Sequence, residues 1–109
     1  MILASLSDPA KAESLLNNLS EADFDINDVS VMMKDAELKN KIAGDVGPLR
    51  GIQPLQLSSA LQAAGASSGQ IKLCMDAVAQ GKAVVAMKVD PKYEAAARRM
   101  FQDLAAELL

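Results

Sequence analysis

An α+β domain is the fold class this sequence predicts, and three observations carry the prediction. Met1–Leu6 and Lys82–Asp90 are short apolar runs of strand character, and each leads through an Asp-Pro pair into an amphipathic helical stretch. Val29–Lys34 alternates Val29, Val31 and Met33 with Ser30, Met32 and Lys34, the period of a third strand. Residues 35–81 carry helical spacing broken by glycine and proline. The 109 residues make one domain: a βαβ unit over 1–34, a helical and glycine-rich middle over 35–81, and a strand with a C-terminal helix over 82–109.

Each element has a local cause. Asp8 can accept amide hydrogen bonds in the first turn of a helix, and Pro9 suits the first helical position because it has no N–H to leave unpaired. Ala12, Leu15, Leu16 and Leu19 then form one apolar stripe. Glu21–Asp28 is an acidic connection in which Phe24 and Ile26 are expected to turn inward. Asp35 caps a short helix running through Ala43, with Leu38 and Ile42 inside and Gly44 ending it. Gly44–Pro54 reads as loop.

Leu57–Ala64 is a helix closed by Gly65, and Ser67 with Gln70 fits a capping box for the next one. That helix buries a stripe of Ile71, Cys74, Met75 and Val78 and stops at Gly81. In the last strand Ala83, Val85, Met87 and Val89 line one face, while Val84 and Ala86 make the other apolar too. A central strand with cover on both sides, or a partner sheet, fits that pattern. Asp90-Pro91 starts a helix expected from Lys92 to Leu109, with Tyr93, Ala97, Met100, Phe101, Leu104 and Leu108 inside.

Because a β–helix–β crossover is right-handed, Lys82–Asp90 is best placed between the other two strands. The result is a three-stranded sheet (β-α-β, helical insert, β-α) with helices packed on it, akin to a ferredoxin-like fold without its last strand. Such a sheet keeps two unpaired edges, which invite another chain. A homo-oligomer, most simply a dimer formed by edge pairing or face packing, is therefore expected.

Composition narrows the function. Half the residues are hydrophobic but aromatics make up only 3%, so the core must be aliphatic. The net charge is −3, with acids concentrated before Leu49. No basic block accompanies Phe24, Tyr93 and Phe101, so nucleic-acid binding is not expected. No apolar run approaches the about 20 residues that span a bilayer, and Met1-Ile2-Leu3-Ala4 lacks the basic flank of a signal peptide. Membrane insertion is not expected. A single cysteine fits a reducing, cytoplasmic location.

Several segments resemble bacterial heat-induced or general stress proteins of the small α/β type. They are Ile2-Leu3-Ala4-Ser5-Leu6, the helix start Asp8-Pro9-Ala10-Lys11-Ala12-Glu13, the stretch from Phe24 to Val29-Ser30-Val31-Met32, and Lys82-Ala83-Val84-Val85-Ala86-Met87-Lys88-Val89. The likeness implies a stress-associated role and brings no catalytic residues or cofactor. Relatives often carry a long hydrophobic Gly/Ala-rich middle, whereas Ala43–Gly81 is polar here.

No catalytic residue and no metal site emerges. The chain has no histidine, which removes the commonest general base and most transition-metal sites. Cys74 sits on an apolar stripe and reads as core, not as a nucleophile. Asp23, Asp25, Asn27 and Asp28 read as a solvated turn, because their spacing does not make a calcium loop. An enzyme built on carboxylates, Tyr93 or Lys82 would need converging groups that the spacing does not supply.

One loop invites a ligand. In Gly44-Asp45-Val46-Gly47-Pro48-Leu49-Arg50-Gly51, the amides near Gly44, Gly47 and Gly51 and the Arg50 guanidinium could hold a phosphate, a nucleotide or another small anion. The alternative is a structural loop crossing the sheet. The expectation is thus a non-catalytic protein acting through self-association or partner binding, with a small-anion sensor as the alternative.

Overall fold

The computed structural model describes residues 2–8, 10–42, 47 and 56–109. Three apolar segments become strands: β1 (Ile2–Leu6), β2 (Val29–Met32) and β3 (Ala83–Met87). β3 pairs antiparallel with both others, so β1 and β2 run parallel with β3 between them, as the crossover argument requires. Residues align in rows across the sheet: Ile2, Met87 and Val29 in one, Leu3, Ala86 and Ser30 in the next.

Strand alternation sorts these rows into two cores. Ile2, Ala4, Leu6, Val29, Val31, Ala83, Val85 and Met87 point to one face. There they meet α1 (Ala10–Glu21) and α5 (Glu94–Asp103), through Leu15, Leu19, Ala97 and Phe101. Leu3, Met32, Val84 and Ala86 point to the other face, against Leu57 and Leu61 of α3 (Leu57–Ala63) and Cys74 and Ala77 of α4 (Ser68–Ala79). The chain's own helices therefore cover both faces, which is why all three strands are buried throughout.

The caps behave as their chemistry dictates. The Asp8 carboxylate accepts from the Ala10 amide at 3.0 Å, and that of Asp90 from Lys92 at 3.1 Å. The Asp35 carboxylate accepts from Leu38 N–H at the head of α2 (Ala36–Ile42). The Ser67–Gln70 capping box is complete. Gln70 does more: its side-chain oxygen accepts from Ser67 N–H while its Nε2 donates 3.0 Å to the Leu109 carbonyl.

Three expectations change at the C-terminal end and at the acidic turn. A fourth strand, β4 (Glu107–Leu108), replaces the end of the expected helix and pairs antiparallel with β1, so the sheet has four strands in the order β2-β3-β1-β4. The helix stops because Ala105 adopts a left-handed φ of 58°. The Ala106 amide then reaches back to the Phe101 carbonyl at 3.1 Å, a reversal of the kind a glycine usually makes.

Tyr93, expected inside, is 52% exposed, because the chain enters α5 through a 3₁₀ turn at Pro91–Tyr93 that shifts the helical phase. Ile26 is 45% exposed on a second 3₁₀ turn, Ile26–Asp28, whereas Phe24 does pack inward against the core.

Candidate functional site

Of the anion-loop residues, Gly44, Arg50 and Gly51 lie outside the described residues. Gly47 is described, and it is used structurally. Its φ is +81°, and a Cβ added there would stand 2.5 Å from Ser30 Oγ and 2.7 Å from both Ser30 N and Val29 C. Residue 47 thus rests on the peptide joining Val29 to Ser30, on the side to which the Ser30 hydroxyl points. Only a residue without a side chain allows that approach.

Cys74 is fully buried among Leu57, Leu61 and Val84. Burial pushes its thiol up to about 11, opposite to the shift that activates a nucleophile. The acidic turn works as backbone chemistry: Asp23 takes a left-handed φ of 67°, and the Asp25 carboxylate accepts from Asn27 N–H at 2.9 Å. Among the described residues no three carboxylate or thiol groups converge on a metal position. Arg98 pairs with Glu94 one turn back at 2.6 Å, on the exposed side of α5.

Surface relief gathers around the C-terminal half of α1. On one side Asn18, Glu21 and Ala22 face Met100 and Asp103 of α5 across a hollow of about 350 Å³. A second hollow of about 360 Å³ shares Ala22 and continues past Asp23 to Phe24 and Tyr93. The two rings meet edge to face, with centroids 6.5 Å apart and planes at 89°. Lys92 Nζ lies 5.1 Å from the Tyr93 ring centroid. On the other side of α1, Leu16, Ile26 and Ile42 line a smaller cleft of about 210 Å³.

Sequence reasoning missed this surface because it assigned Tyr93 and Ile26 to the interior. The available signal was composition. With only three aromatic residues in the chain, two of them brought together by connecting segments is an uneven use of rings.

No helix among the described residues is long and apolar enough to cross a membrane. Comparison with family models, with curated proteins and with solved structures finds no match to this chain.

Proposed function

We propose that this chain is a non-catalytic association domain, acting on partner proteins or on a second copy of itself, in the stress-associated manner its segment resemblance implies. The observation that supports this reading most is the groove beside α1. It leaves Tyr93 half in solvent although the chain has few rings and a well-filled core. The burial of Cys74, which pushes its thiol up, supports the non-catalytic part of this reading. In this reading the strand order β2-β3-β1-β4 is a ferredoxin-like arrangement with α2–α4 inserted between β2 and β3, and the protein works in the cytoplasm.

Self-association is assigned to the sheet edges, since helices already cover both faces. β2 pairs only with β3 among the described residues, and β4 is just two residues long. Sedimentation velocity across a concentration series up to tens of micromolar tests this part. The expected result is a reversible monomer–dimer equilibrium, and a strict monomer throughout removes self-association from the proposal. The contact of Gly47 with β2 favours the structural use of its loop over the anion-sensor alternative.

A further inference from the structure

We infer that the adjoining hollows at the C-terminal end of α1, one facing α5 and one reaching Phe24 and Tyr93, take a segment of another protein in which a lysine or arginine stands beside an apolar side chain, an inference that rests on the association reading above. Apolar groups in the lining are Ala22, Met100 and the edge-to-face pair of Phe24 and Tyr93. Carboxylates stand among them. Glu21, Asp23 and Asp103 line the two hollows, and among the described residues none of them is ion-paired. Asp25 and Asp90 stand nearby in sequence, each already accepting one backbone amide. Apolar side chains set beside carboxylates without ion-pair partners are complementary to a basic, amphipathic segment.

The structure also displays the type of contact. The Lys92 ammonium lies within cation–π range of the Tyr93 ring, so the ring face is placed where a cation can sit. A guest's lysine or arginine would compete with Lys92 for the ring while its apolar neighbour settles on Met100 and Ala22. A second copy of this chain docking symmetrically is disfavoured, because it would set Glu21, Asp23 and Asp103 against their own counterparts.

Three short dye-labelled peptides test the inference with the full chain: one alternating lysine with leucine, one with glutamate in place of lysine, and one with serine in place of leucine. The lysine–leucine peptide is expected to bind at least about tenfold more tightly than either other. Asp23→Asn, which keeps a residue tolerant of left-handed φ, and Tyr93→Ala should each weaken it about three- to tenfold. Lys92→Gln should tighten it, by removing both the competitor and a positive charge.

Amide NMR shifts on binding should centre on Ala22, Asp23, Phe24, Tyr93 and Met100. Circular dichroism of each variant checks that it folds. Equal binding of the acidic peptide, loss of affinity in Lys92→Gln, or shifts centred elsewhere would overturn the proposal. These outcomes are independent of the sedimentation result, so the groove can fail while self-association stands, and the reverse.

Discussion

Replacing Gly47 by alanine while replacing Gly81 in parallel separates two effects that usually travel together. Both glycines have positive φ, +81° and +84°, so both substitutions force an L-residue into the left-handed region. That conformation costs about 1–2 kcal/mol, and the stiffer unfolded chain returns about 0.4–1 kcal/mol. Nothing lies within 4 Å of a Cβ at Gly81, so the expected loss there is about 1 kcal/mol or less.

At Gly47 the new methyl would meet backbone atoms of Val29 and Ser30 at 2.7 Å, and backbone in a buried strand cannot swing aside. Overpacking of this kind adds about 1–3 kcal/mol, for a total of about 1–4 kcal/mol. Urea unfolding followed by circular dichroism reads the difference as a lower midpoint with unchanged slope. If Gly47→Ala were no more destabilising than Gly81→Ala, residue 47 would not rest on β2.

Other outcomes follow from the same geometry. The Cys74 thiol is pushed up to about 11 from an ordinary 9.0. The folded state therefore holds its proton longer than the unfolded state, and stability falls as pH rises between those values. The loss is about 2–3 kcal/mol across that window, has not begun at neutral pH, and should vanish in Cys74→Ala. The native thiol should also react with a disulfide reagent only as fast as the protein opens. Phe101→Ala empties the most voluminous fully buried position among the described residues and should cost about 3–5 kcal/mol in urea unfolding. Ser67→Ala removes one half of the capping box and should cost about 1 kcal/mol. Arg98→Ala breaks only the exposed pair with Glu94, so its loss should stay below about 0.5 kcal/mol and vanish in high salt.

Much of the fold was legible because its elements obey one period at a time. Leu15, Leu16 and Leu19 fit only a helix, and Ala83 to Met87 fit only a strand buried on both sides. β4 escaped for a physical reason: a four-residue spacing from Leu104 to Leu108 places both inward in a helix, and an even spacing also suits a strand. The stop between them is Ala105, which carries none of the usual sequence marks of a left-handed turn. Tyr93 and Ile26 were misplaced because 3₁₀ turns break the phase on which amphipathic counting depends. The hollow beside Tyr93 was illegible for the same reason, since its lining comes from connecting segments and not from one helix face. At the predicted loop, glycine content left an anion cradle and a structural loop open, and the one described glycine, Gly47, lies against β2.

The two hydrogen bonds of Gln70 tie together stretches 39 residues apart in sequence. One end of its amide stabilises the first turn of α4, and the other holds the Leu109 carbonyl, whose own amide donates to Leu3. Opening of the last residues and fraying of the α4 head therefore belong to one event. In hydrogen exchange the amides of Gln70 and Leu109 should open together, and Gln70→Ala should speed both. A helix cap here serves as a clasp, so the rim of the sheet and the start of a helix on its far face share a single local lifetime.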